Sequence, residues 1–361
     1  MSVNRVFNFS AGPAMLPTEV LEKASQELLS LDDSGMSVME ISHRSKKFFE
    51  ILERTKQSIK DLLNVPPDYK ILFFPGGASL QFALIPLNFL HHKADFIVTG
   101  YWSQKAFKEA SKLGVSNLIY TSEASNFSAI PRQQELKFSE DADYVHYCSN
   151  ETIHGVEFDY DLTAGDLPIV CDASSNIMSK SIDITKYSLI YAGAQKNLGP
   201  SGITLVIVHE DFLQRARKDL PTIFSYLSFA NENSMPNTPN TWGIYMIGLV
   251  CEWIKQKGGI AAIEKLNQKK AQLVYDEIDN SDGFYRGRAI HQFRSRMNIT
   301  FNLKTESLEN KFCEEAERKR LMNLRGHRST GGIRASIYNA FPLDGVIKLK
   351  EFMREFREMN S

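Results

Sequence analysis

Paired cysteines, metal-binding histidine motifs, long apolar runs and a surplus of either charge are all missing from this chain. Its four cysteines, Cys148, Cys171, Cys251 and Cys313, stand far apart, with no CxxC pair among them. That spacing excludes a disulfide framework and suits a reducing compartment, so a cytoplasmic location is expected. The eight histidines include no HExxH. The adjacent pair His91-His92 reads as a polar loop after a helix, and no metal site is expected. Met1 to Phe9 contain no apolar segment of the secretory kind. The longest apolar stretch, Ile244 to Ile254, is interrupted by Glu252 and is too short to span a bilayer. Basic and acidic side chains, 42 against 43, nearly cancel. That balance argues against nucleic acid or a membrane surface as a partner. Repeats and low-complexity linkers are also lacking.

What is present is a chain of 361 residues, long enough for a large core and two lobes. Short apolar runs recur at Ile71 to Phe74, Phe96 to Thr99, Leu118 to Tyr120, Tyr144 to Tyr147, Ile169 to Cys171, Leu189 to Tyr191 and Ile203 to Val208. Continuous runs of this length suit buried strands of a mostly parallel sheet. Helical patterns separate several of them, at Gly77 to Leu90 and Gln104 to Leu113. The alternation predicts an α/β doubly wound core. The texture changes after Trp242. Tyr245 to Lys257 and Ile260 to Ile278 read as helices, and Arg296 to Leu303 as an antiparallel strand. Helices at Ser307 to Leu321 and Leu343 to Met359 flank Gly331 to Tyr338. A smaller α+β C-terminal lobe is therefore expected.

The candidate site gathers around one lysine. Lys196 follows the apolar run that ends at Tyr191 and is flanked by Gly193, Ala194, Gly199, Pro200 and Gly202, small or turn-forming residues that leave room for a bulky ligand. Asp172 ends another apolar run 24 residues earlier. A strand-end lysine paired with a strand-end carboxylate is what a pyridoxal phosphate enzyme needs. The lysine forms the Schiff base, and the carboxylate keeps the pyridine nitrogen protonated. Singly, each residue has a plain alternative, a solvated loop charge for Lys196 and a turn or helix cap for Asp172. Four further segments follow strands. Gly76-Gly77-Ala78-Ser79 opens a helix, where free N–H groups bind phosphate or simply turn the chain. Trp102 could stack on a flat ring or cover the core. Thr152, in Asn150-Glu151-Thr152, could donate to a phenolate oxygen or start a turn. Ala173 to Asn176 offer hydroxyl and amide groups suited to a phosphate or a cap. Ligands of open α/β sheets bind at the carboxyl ends of strands, and the convergence of these segments carries more weight than any one. Arg334 stands among apolar residues, where an unpaired guanidinium is costly and an anionic ligand would be its partner. Arg44 reads equally as an exposed helix start.

Phe7 to Pro17, Ser42-His43-Arg44, Tyr191 to Asn197, Asn237-Thr238-Pro239, Gly326-His327-Arg328 and Gly331 to Asn339 resemble, in order and across the whole chain, the phosphoserine aminotransferases. That family belongs to the fold-type I pyridoxal phosphate enzymes. The resemblance implies a large domain with a mostly parallel sheet at 17–260, a small α+β domain at 261–361, and an N-terminal segment, 1–16, packing with the small domain. It implies transamination between 3-phosphohydroxypyruvate and glutamate, giving O-phosphoserine and 2-oxoglutarate. By position it makes Lys196 the Schiff-base lysine, Asp172 the partner of the ring nitrogen, Trp102 the stacking ring and Thr152 the donor to the O3′ oxygen. Ala78, Ser79 and Gln195 become phosphate ligands. Asn237 and Thr238 reach the cofactor phosphate of a second subunit, so a homodimer with shared sites is implied. Arg44 and Arg334 become anion clamps, with His43, His327 and Arg328 completing the pocket. One departure is Ser79, where some bacterial members carry arginine. Two rivals remain on the same fold. A cysteine desulfurase-like lyase would need a reactive thiol, which the carboxylates after Cys313 disfavour. A non-catalytic cofactor-binding protein would need no substrate arginines.

Overall fold

The computed structural model describes residues 5–361; the first four residues of the expected N-terminal segment lie outside them. Seven strands form the central sheet: β1 (Tyr69–Pro75), β2 (Lys93–Val98), β3 (Val115–Thr121), β4 (Tyr144–Cys148), β5 (Ile169–Asp172), β6 (Leu189–Gly193) and β7 (Ile203–His209). Their spatial order is β1-β7-β6-β5-β4-β2-β3. The pairs β2/β3, β2/β4, β4/β5 and β5/β6 are parallel. Only β7 runs antiparallel to its two neighbours. Six strands therefore deliver their carboxyl ends to one edge.

The inner strands are largely apolar because both of their faces are covered, whereas the edge strand β3 is partly exposed. Ile71, Phe73, Val145, Cys171 and Ile190 enter one core, whereas Leu72, Phe74, Tyr144, Val170 and Tyr191 enter the other. This is the two-residue alternation of a pleated strand. Burying each such side chain contributes about 1.5–3 kcal/mol. On the first face the helix Lys46–Leu63 starts at Ser45, whose side chain accepts from the Phe48 amide. Phe48, Ile51, Leu52, Thr55, Ile59 and Leu63 form its buried stripe. It packs on the helix Thr241–Gln256 at Gly248, where an added Cβ would lie 2.5 Å from Thr55 Oγ1.

The C-terminal lobe has its own core. The helices Gly259–Asp279, Glu306–Arg318 and Leu343–Asn360 cover a three-stranded antiparallel sheet of Arg286–Gly287, Asn298–Asn302 and Ile333–Ser336. Phe9, Val274, Phe301, Phe312, Phe352 and Phe356 fill the space between. The N-terminal strand Phe7–Asn8 pairs in parallel with Leu321–Met322. Leu321, expected as the end of a helix, is thus a strand residue, because its partner comes from the far end of the chain. Among the described residues no helix is long and apolar enough to cross a membrane.

Candidate active site

Lys196 lies just past β6, with its side chain 9% exposed. Its Nζ donates to Thr152 Oγ1 at 2.6 Å and stands 5.5 Å from the centre of the Trp102 ring. Burial lowers the pKa of Lys196, and the nearby Asp172 charge opposes that shift. Asp172, at the end of β5, is pushed up by burial and held back by Lys196. Its Oδ1 accepts from the Ser174 amide at 2.9 Å. The lysine and the carboxylate are therefore two buried ionisable groups held near each other, which is costly to build and typical of functional sites.

A turn of backbone follows β1 beside the Lys196 loop. Gly76 adopts φ +77°, a turn open to glycine, and Gly77 then caps the helix Ala78–Phe89 without a side-chain bond. A Cβ on Gly193 would lie 3.4 Å from Ala78 Cβ and 2.8 Å from Gln195 Oε1, so Ala78 and Gln195 meet at this turn. Ser79 is exposed beside them. Two buried polar atoms at the site, Gln195 Oε1 and Trp102 Nε1, have no partner. With a helix N-terminus, an amine and a carboxylate alongside, this donor set fits pyridoxal phosphate. Among the described residues no cluster suits a metal ion.

Arg334 projects from Ile333–Ser336. Its guanidinium meets no carboxylate among the described residues, and burial depresses its pKa. His327 packs against Tyr101 with the rings tilted by 50° and their centres 5.4 Å apart. Its pKa is lowered by burial and by Arg334 and Arg328. Trp102, Thr152, Asp172, Gln195, Lys196, Ala78, His327 and Arg334 therefore face one region. His43, Arg44, Asn237 and Thr238 make no side-chain hydrogen bond or ion pair with that group; Arg44, Asn237, Thr238 and Arg328 are exposed.

The groups of Ala173 to Asn176, read as suited to a phosphate or a cap, also knit strand ends together: Ser174 Oγ accepts from the Gly193 amide at 3.0 Å, and Ser175 and Asn176 bond Asn150 and Ser149. Gly12, at φ +150°, packs on the Lys196 loop: its Cβ would lie 3.7 Å from Lys196 Cγ. Glu151 accepts from Ser103 and Trp102, and the Asn-Glu-Thr triplet was its only sequence signal. All four cysteines are buried free thiols. Burial pushes Cys313 up to about 11, and the two carboxylates that follow it are secondary to that.

The sheet order, the buried lysine and its carboxylate define a transaminase of the pyridoxal phosphate type, and the family model of class-V aminotransferases matches residues 6–349. A phosphoserine aminotransferase of Lysinibacillus sphaericus is 49% identical over 98% of this chain and 98% of its own. One of Ectopseudomonas mendocina is 50% identical over the same shares. The structure of the phosphoserine aminotransferase of Bacillus circulans subsp. alkalophilus superposes with a TM-score of 0.97 at 45% identity, covering 99% of each chain. The PLP-bound enzyme of Trichomonas vaginalis gives 0.92 at 40% identity, over 97% of this chain and 100% of that one. The chain belongs to the phosphoserine aminotransferase family of class-V aminotransferases.

Proposed function

We propose that the chain transfers the amino group of L-glutamate to 3-phosphohydroxypyruvate, giving O-phospho-L-serine and 2-oxoglutarate, with pyridoxal 5′-phosphate as cofactor. The observation that carries this reading is Lys196 Nζ, buried between Thr152, Trp102 and Asp172. The names of the relatives supply the substrates. When bound, the cofactor supplies an electron sink for charge developing at the substrate α-carbon. The chain's own residues supply the rest. The lowered pKa of Lys196 favours a free amine at Nζ, able to take the α-proton and return it. Asp172 would accept from a protonated ring nitrogen. Trp102 would cover one ring face, and Thr152 would offer its hydroxyl to the phenolic oxygen. Ala78, Ser79 and Gln195 would receive the phosphate.

Arg334 is the group for the α-carboxylate, since its planar fork matches that anion. His43, Arg44, His327 and Arg328 would take the distal anion. Because His43, Arg44, Asn237 and Thr238 stand apart from Lys196 in one chain, the reading includes a homodimer, in which Asn237 and Thr238 complete the partner's phosphate site. It divides the chain at 1–16, 17–260 and 261–361, and places the enzyme in the cytoplasm.

The test is a pair of half-reactions. Glutamate added to the holoenzyme should shift the cofactor absorbance, and 3-phosphohydroxypyruvate should restore it. A spectrum unmoved by glutamate would overturn the reading.

A further inference from the structure

Glu151 has no part in the transamination described above, yet it is wholly buried beside the site. Among the described residues it has no cationic partner at hydrogen-bond range. Its Oε1 accepts from the Ser103 amide at 2.8 Å and the Ser103 hydroxyl at 2.6 Å. Its Oε2 accepts from the Trp102 amide at 3.1 Å. A buried carboxylate is costly unless it is fully hydrogen-bonded. Here the positive end of the helix Tyr101–Ala110 and three donors offset part of that cost, and burial still leaves the carboxyl pKa raised.

Stability alone would call for less. A serine or aspartate at the capping position serves a helix locally. This helix is capped at Gly100, and its acceptor arrives from 49 residues beyond Trp102. Space for a local cap is closed off, because a Cβ on Gly100 would come within 2.4 Å of Glu151 Cδ. The distant acceptor is also the neighbour of Thr152, whose hydroxyl holds Lys196 Nζ. The contact therefore joins the two segments that carry Trp102 and Thr152, on either side of the same amine.

We propose that Glu151 is a positioning residue whose carboxylate fixes the backbone that carries the Trp102 indole relative to the Thr152 hydroxyl, and so sets the slot that receives the cofactor ring. The proposal rests on the reading of the Lys196 site given above. Glu151→Gln isolates the contact. The amide oxygen still accepts from Ser103, but its NH2 then opposes the Trp102 N–H, donor against donor. Titration of the apo-protein with pyridoxal phosphate should show binding weakened about 10-fold or more. At saturation, the induced circular dichroism of the bound cofactor and the quenching of Trp102 fluorescence should both be reduced, with far-ultraviolet dichroism unchanged. A loss of stability alone would leave the two saturated signals at their native size. Gly100→Ala displaces the same carboxylate without altering its charge and should reproduce the effect, should Glu151→Gln fail to fold. Native affinity with native dichroism in the folded variants would overturn the proposal. A native chain that takes up no pyridoxal phosphate would overturn the reading of the site itself, so the two failures are told apart by the native titration.

Discussion

Asp172 and His146 illustrate opposite uses of burial. Burial pushes the Asp172 pKa up, while Lys196 and the Ser174 amide, which face the carboxylate, hold it back. An asparagine there fills the same space but cannot hold a ring proton. Asp172→Asn should retain bound cofactor while the single-turnover rate falls on the order of 100-fold or more. An unchanged rate would remove Asp172 from its role. His146, on β4, bonds the Tyr191 hydroxyl at 2.8 Å, and burial depresses its pKa to about 3. The unfolded imidazole titrates near about 6.5. Between these values the unfolded chain binds more protons, so this contribution is fully present above about 6.5 and is lost as pH falls towards 3. One such group gives a slope of up to about 1.4 kcal/mol per pH unit. His146→Gln should flatten the acid limb of urea midpoint against pH. Superimposable limbs for the two proteins would refute the assignment.

At the scale of elements, a fully buried lysine ties a helix of the C-terminal lobe to the turn after that lobe's last strand. Lys270, on Gly259–Asp279, donates to the carbonyls of Ile337, Tyr338 and Phe341 at 3.0, 2.7 and 3.1 Å. That turn leads through Asn339, whose amide donates to Asn197 Oδ1 beside Lys196. Burial lowers the Lys270 pKa to about 7. Lys270→Met keeps the length of the side chain but strands three carbonyls, at a cost of roughly 3 kcal/mol. A fall in Tm of roughly 4 °C should follow for a chain of this length; thermal melts with no shift would show that the carbonyls find other donors. The strands were legible because both sheet faces are covered, so Ile71 to Phe74 and Ile203 to Val208 read as continuous apolar runs. The antiparallel sense of β7 was not, since such a run reads alike in either direction. The helix expected from Gln104 begins at Tyr101, because its cap is Glu151 and leaves no local mark. The helix Thr18–Gln26 was missed, and of Lys46–Leu63 only the start near Arg44 was read, where Ser45 caps it. At the site, Lys196 and Asp172 stand out because strand ends expose their chemistry. Glu151, Ser174 and Gly12 do not, because their partners are far away in sequence.

For the whole molecule, one chain leaves an apolar surface uncovered next to Arg44. Leu29 is 83% exposed, and Met36, Met39 and Phe49 are about half exposed. An exposed patch of this kind marks an interaction site, and a second copy is the partner the proposed function requires. Lys196→Ala and Asn237→Ala homodimers should each be nearly inactive. Mixed as dissociated subunits, they should recover up to roughly a quarter of native activity, since half the dimers carry one intact site of two. A fully active monomer in the ultracentrifuge would exclude shared sites.

The burial of all four cysteines gives the protein a built-in reporter. A maleimide in native buffer meets no sulfur until a segment opens, so the rate of alkylation becomes a clock for opening. Cys148 and Cys171 ride on central strands, Cys251 on the helix Thr241–Gln256, and Cys313 on Glu306–Arg318 of the other core. The order in which peptides gain the label would therefore reveal which core loosens first.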